Sequence, residues 1–275
     1  MHSVMLLVAA FCYVAASFSF SRSLSSTEQP ATRIAPWVLA VGFAMHTLDL
    51  LREFSIGGGP PVGSFAGGFS FFAWLLVALY LALQSRLPLA AAGAIVAPVA
   101  FIAVLIDALQ GSNDVAIPQA LRSPWLPVHV TLAFLGNAVF ALAFAVSAVY
   151  LLQENLLKTH RSGTLIRRLP ALERLDRLNH VFLVWGFPLL TLGIVTGGVW
   201  SMNAWGHFWS WEPREVLAVL TWLLYAGLLQ LRMLGDLRGR RAAHWTIAAF
   251  AFLIVSYLAV NILGIGGRHG LGQVG

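Results

Sequence analysis

Eight stretches of this chain are apolar for close to the length that crosses a bilayer, which limits its fold more than any other feature. Crossing the hydrocarbon core takes about 20 residues of helix at about 1.5 Å rise each. The stretches are 3–20, 34–51, 69–84, 89–109, 128–152, 179–201, 214–233 and 244–264. The third is short, and Leu87-Pro88 makes the link to the fourth a soft boundary. The expected fold is all-α: a polytopic membrane bundle of about eight helices forming a single domain over 1–275. With 59% hydrophobic residues and only 10% charged, the composition is that of a membrane protein. Met1 to Phe20 lacks the basic start and small-residue cleavage site of a secretory signal, so it is expected to be a retained first span.

The basic residues report topology. With the amino terminus outside, thirteen of the seventeen Lys and Arg fall in inner loops, leaving Arg52, Arg122, Arg214 and Arg268 outside. Positive charge is retained on the cytoplasmic side, so both termini are expected outside. The net charge of +6 is therefore a membrane signal, and no nucleic-acid partner is expected. Amphipathic pieces around Leu165 to Leu178, in the longest inner loop, are expected along the anionic inner leaflet. The single Cys12 excludes an internal disulfide, and the chain has no Cys-x-x-Cys-His site of its own.

Between the sixth and seventh spans lies Trp205-Gly206-His207-Phe208-Trp209-Ser210-Trp211-Glu212-Pro213. A loop with this much indole suits a flat, polarisable ligand such as haem. Trp205 and Trp209, four apart, share a face if that piece is helical, and Gly206 leaves space beside them. Pro213 suits the first turn of the next helix, flanked by Glu212 and Glu215, so Glu212 has a plain reading as a helix cap.

Of the eight histidines, His160, His180 and His244 fall near inner boundaries, where an amphipathic ring is ordinary, and His2 is terminal. His129 opens the fifth span and His269 follows the eighth, both at the depth of the tryptophan segment. Two imidazoles beside an aromatic platform match what haem iron and the porphyrin face require. Interfacial aromatics and headgroup-facing rings are the other reading. His46 lies inside the second span, where an ionisable residue is either functional or a neutral ring bonded to a neighbouring helix.

Gly186-Phe187-Pro188-Leu189-Leu190-Thr191-Leu192-Gly193, Val199-Trp200 and Trp205 to Glu215 together resemble the CcsA/ResC branch of the cytochrome c assembly proteins, whose pattern is W-G-x-x-W-x-W-D. The likeness continues at Thr221-Trp222 and from Val260 to His269, and reaches back to Phe43-Ala44-Met45-His46 and Phe72-Ala73-Trp74. It implies that haem b passes outward through the membrane and is held at the outer face by His129, His269 and the tryptophan segment. An apocytochrome Cys-x-x-Cys-His motif then takes it through thioether bonds. Trp205, Gly206, Trp209, Trp211 and Glu212 would form the haem-contacting wall, and His46 would match an intramembrane iron ligand.

This sequence departs from the pattern twice. Glu212 stands for the motif's Asp, and Gln230 stands where a second intramembrane histidine is expected. A carboxamide is a very poor iron ligand, so His46 would act alone or with a partner chain's residue. Arg214 and Arg268 suit the haem propionates, since guanidinium matches carboxylate in a fork. The implied role is one component of a cytochrome c synthetase rather than an enzyme alone. It would sit in a bacterial inner membrane, with its haem site on the periplasmic side. The implied partners are a CcsB/ResB-like membrane protein, an apocytochrome c and a thioredoxin-like thiol reductase. Three other roles stay open: a CcmC-type haem chaperone, a non-catalytic HemX-like protein affecting haem biosynthesis, and a transporter or structural protein whose tryptophans are only interfacial, against which the clustered motif argues.

Overall fold

The computed structural model describes residues 4–25, 30–57, 64–110, 123–159 and 164–262, all in helices and the short turns joining them. The helices are α1 (Val4–Ser25), α2 (Pro30–Gly57), α3 (Phe65–Gln84), α4 (Ala90–Gln110), α5 (Trp125–Lys158), α6 (Thr164–Arg168), α7 (Leu172–Trp205), α8 (Pro213–Met233) and α9 (Gly239–Ile262). Eight of them are long and apolar enough to cross a membrane. The expected all-α membrane bundle is what forms.

Several helices run past the expected spans, for local reasons. α3 begins four residues early because Ser64 caps it, its Oγ accepting from the Gly67 N–H at 3.0 Å. α5 and α7 are each 34 residues long. Both continue beyond the apolar stretch as charged helix, supported by Glu154–Lys158 at 2.7 Å and Glu173–Arg177 at 2.9 Å, each one turn apart. The segment expected along the inner leaflet is thus divided. Thr164–Arg168 is a separate turn of helix and 172–178 is the start of α7; Leu169 in the link between them is buried in the protein, as are Leu175 and Leu178.

The packing has two halves. α1 packs on α2 and α4, and α3 on α2 and α4; α7 packs on α5, α8 and α9, which also touch one another in part. α5 joins the halves through its contacts with α3 and α4. Lipid tails are as apolar as leucine, so close packing and interhelical hydrogen bonds must hold such a bundle. The α5–α7 contact is the tightest: a Cβ at Gly136 would lie 3.0 Å from the Leu190 nitrogen, and one at Gly193 would lie 3.0 Å from the Ala133 Cα. Here glycine lets the backbones approach directly. Deeper in, Asn179 of α7 donates to Ser147 Oγ of α5 at 2.7 Å and to Thr246 Oγ1 of α9 at 3.0 Å.

Both ends of the second half are tied by polar contacts. At the arginine-rich end, Arg232 of α8 donates through Nη2 to the Asp176 carboxylate and to its backbone oxygen, each at 3.0 Å. The same carboxylate accepts from the Gly239 N–H at 3.0 Å, so the turn into α9 is bound to α7. Arg168 of α6 donates to the Ser23 carbonyl of α1 at this end as well. At the opposite end, which the charge count assigns to the outside, Arg214 of α8 meets Asn261 of α9 at 3.4 Å.

Candidate haem-handling site

His129 lies in the second turn of α5, and its ring is received by α7. Its Nδ1 lies 2.8 Å from the carbonyl oxygen of Gly193. A carbonyl only accepts, so Nδ1 carries the proton and Nε2 carries the lone pair. One turn along α7, a side chain at Gly197 would collide with this ring, its Cβ falling 2.8 Å from Cε1 and 2.9 Å from Nδ1. Trp200 follows three residues later, with its ring parallel to the imidazole within 2° at a centroid separation of 6.2 Å. Gly193, Gly197 and Trp200 thus form one stripe of α7 shaped around His129. Thr196 also reaches the Gly193 carbonyl, at 3.1 Å.

The tryptophan segment leaves the end of the same helix. α7 stops at Trp205 because Gly206 is left-handed, at φ 79°, and its N–H closes the helix on the Met202 carbonyl. A Cβ at Gly206 would meet nothing within 4 Å. The glycine is therefore needed for its backbone angle, and the space beside it is open. Trp205 and Trp209 do not share a helical face, because the helix ends between them.

The loop returns to the bundle at three points. Phe208 lies over Gly198, where a Cβ would run into its ring. Ser210 donates its N–H to Glu215 Oε2 at 2.8 Å and its hydroxyl to Oε1 at 3.0 Å. Pro213 then opens α8 as its first residue, as the sequence indicates. Glu212 is the cap residue by position, but its side chain makes no capping hydrogen bond. The Glu215 carboxylate binds the loop backbone at Ser210.

So held, the loop presents aromatic surface. Trp205 is 37% exposed, Phe208 48% and Trp211 78%. Trp209 meets Trp211 edge-on at 5.9 Å and 87°. Trp211 has φ 60°, a left-handed conformation that costs a bulky residue about 1–3 kcal/mol. The fixed turns on either side hold it there. The His207 Nδ1 is buried and has no hydrogen-bond partner among the described residues.

A sequence model of the family described as "Cytochrome C assembly protein" matches residues 63–267, well over half the chain and the whole of this site as far as it is described. The chain belongs to that family. Among relatives of this assembly protein, the cytochrome c biogenesis protein CcsA of Prochlorococcus marinus (strain MIT 9312) is 36% identical over 253 residues, covering 83% of this chain and 81% of the relative. The CcsA protein of Guillardia theta is 33% identical over 227 residues, covering 75% of each. That of Chlamydomonas reinhardtii is 33% identical over 238 residues, covering 83% of this chain and 66% of the relative.

In this assembly protein the other expected site residues fall as follows. His269 and Arg268 lie outside the described residues. Arg214 sits at the tryptophan end, paired with Asn261 and within electrostatic reach of Glu212 and Tyr257. Tyr257 itself packs against Phe65, Phe69 and Phe134, so α3, α5 and α9 meet in one aromatic cluster.

His46 is fully buried, with Nδ1 3.2 Å from the Tyr13 hydroxyl of α1 and Nε2 3.0 Å from the Ser70 hydroxyl of α3. A turn-neighbour, Thr47, accepts from Trp74 Nε1 at 2.8 Å, and Trp74 stacks on Phe43 at 5.6 Å. The weaker stretches of likeness in the first half thus fold together around His46. Gln230 is exposed on α8, a helix that packs on α7 and α9 while α2 packs on α1 and α3.

Proposed function

We propose that this chain is the haem-handling subunit of a membrane-bound cytochrome c synthetase, presenting haem b at the outer face for thioether attachment to apocytochrome c. One observation carries the reading: His129 is seated on α7 with its Nδ1–H donating to the Gly193 carbonyl, which leaves Nε2 as the nitrogen with a lone pair, and the tryptophan loop leaves the end of that same helix about three turns further on. A neutral imidazole oriented through its other nitrogen is the form that binds iron best.

In this reading His129 and His269 are the axial ligands, and Trp205, Trp209 and Trp211, together with Gly206 and Glu212, form a wall against the porphyrin. Arg214 and Arg268 meet the propionates. His46 is a separate ligand at intramembrane depth. The covalent step needs no nucleophile from this chain, whose one thiol, Cys12, lies within α1. A cysteine thiol of the apocytochrome adds across a haem vinyl group. The new bond joins sulfur to the inner vinyl carbon, the thiol proton ends on the outer one, and no electrons are exchanged. The protein's contribution is position: haem held edge-out, iron ligated, and the approach of the peptide fixed. A CcsB/ResB-like subunit and a thioredoxin-like reductase that keeps the apocytochrome thiols reduced are the natural partners. The setting is a bacterial inner membrane with the site on its periplasmic side.

A haem chaperone of the CcmC type, or a HemX-like protein, is the second reading. It is favoured by the engagement of both His46 nitrogens and by Gln230 at the expected position of a second intramembrane ligand. Co-expression with a CcsB-like partner and a reporter apocytochrome separates the cases. Covalent holocytochrome supports the synthetase, a haem-loaded chain without it supports the chaperone, and a chain without haem supports the HemX-like role. An absorption spectrum unchanged by replacing both His129 and His269 with Ala removes them from the iron.

A further inference from the structure

We infer that the Gly193 carbonyl, the side-chain-free position at Gly197 and the Trp200 indole are positioning groups for His129: they set its tautomer and ring plane, and through these the electron density it gives to haem iron. The inference rests on His129 being an iron ligand, and it concerns residues that make no contact with iron themselves.

Three contacts constrain the ring in different ways. The carbonyl at 2.8 Å fixes which nitrogen is protonated, because it has no proton of its own to offer. The indole, parallel within 2°, fixes the plane. Gly197 fixes depth: the imidazole occupies the volume a side chain would fill, which lets Nδ1 reach the carbonyl at all. A 180° turn of the ring would put a carbon where Nδ1 stands and lose the hydrogen bond, so a single orientation is selected.

The chemical consequence follows from the hydrogen bond. Donating a hydrogen bond from Nδ1–H to a carbonyl makes an imidazole more basic at Nε2, which favours ferric over ferrous iron. Weakening that bond makes the ring a poorer donor and raises the reduction potential. Freeing the ring plane changes the splitting of the iron d orbitals without changing the ligand.

The test uses the full-length protein, first free of haem and then loaded with haem b. In the haem-free protein, nitrogen NMR of labelled histidine is expected to show His129 protonated at Nδ1. In the loaded protein, Gly197→Ala is expected to shift the midpoint potential to a more positive value, and Trp200→Leu to alter the spread of the low-spin ferric g-values. Because Gly197→Ala crowds a packed helix, Trp200→Leu and the NMR of the unaltered chain keep the test decisive if that variant misfolds. An Nε2-protonated His129, or potentials and g-values unchanged in both variants, overturns the inference while leaving the ligand reading intact. A haem spectrum unchanged by His129→Ala overturns the ligand reading, and the effect on iron with it, while the NMR result still reports the seating of the ring.

Discussion

Phe208 fills the volume that a side chain at position 198 would need: a Cβ built on Gly198 runs into its ring. The tryptophan loop is thus keyed to α7 through a missing side chain, and Gly198→Ala is expected to lift the loop off the helix. Overpacking a site of this kind costs about 1–3 kcal/mol. The expected result is a lower thermal midpoint, together with reduced haem retention on size-exclusion chromatography.

Glu215 is expected to hold the tryptophan loop through Ser210. It accepts from both the Ser210 N–H and its hydroxyl. Hydrogen bonds to a charged group contribute about 1.5–3 kcal/mol. Glu215→Ala should therefore destabilise the protein and loosen the loop, and Glu215→Gln should recover part of the loss, as read by thermal melts and by tryptophan fluorescence anisotropy. A melt and an anisotropy unchanged in Glu215→Ala would show that the loop is held by something other than the Ser210 contacts.

Trp211 separates stability from ligand contact. Its left-handed backbone is strained and its ring is 78% exposed, so little packing is lost with it. Trp211→Gly removes about 1–2 kcal/mol of strain and forfeits an edge-on contact worth about 0.5–1.5 kcal/mol. Stability should stay within about 1 kcal/mol of the parent while haem retention falls. A large fall in the thermal midpoint would argue that this indole supports the fold.

At the far end of the bundle, Asp176 and Arg232 should be costly to separate. The arginine side chain is only 4% exposed, and removing its partner leaves a charge without compensation. Asp176→Ala is expected to lose about 3–5 kcal/mol, while the paired change Asp176→Leu with Arg232→Met should recover much of it. A double-mutant cycle in detergent checks both. Strict additivity would mean that the two residues are not coupled.

The spans were legible because hydrocarbon imposes their length, and Pro213 as a helix start because proline lacks an N–H. The helix ends were less legible, since hydropathy stops at the charged turns through which α5 and α7 continue. His129 was readable as a candidate ligand, but its partners on α7 were not. Gly193 and Gly197 are four apart, a small-residue spacing that marks a face for close approach, and that signal could have pointed to α7 as the receiving helix. Nothing local announces that Glu215 binds the loop through Ser210, or that Arg232 meets Asp176 across 56 residues. Such pairings depend on which helix faces meet. The expected shared face of Trp205 and Trp209 failed on a single backbone angle, the positive φ of Gly206.

The imidazole of His46 bridges two hydroxyls, one from the helix before it and one from the helix after it. It acts as a dowel, fixing how three neighbouring rods are rotated about their own axes. Iron seeking this nitrogen must first displace Tyr13 or Ser70, so the toll for binding at that depth is set by the protein and changes when either hydroxyl is removed.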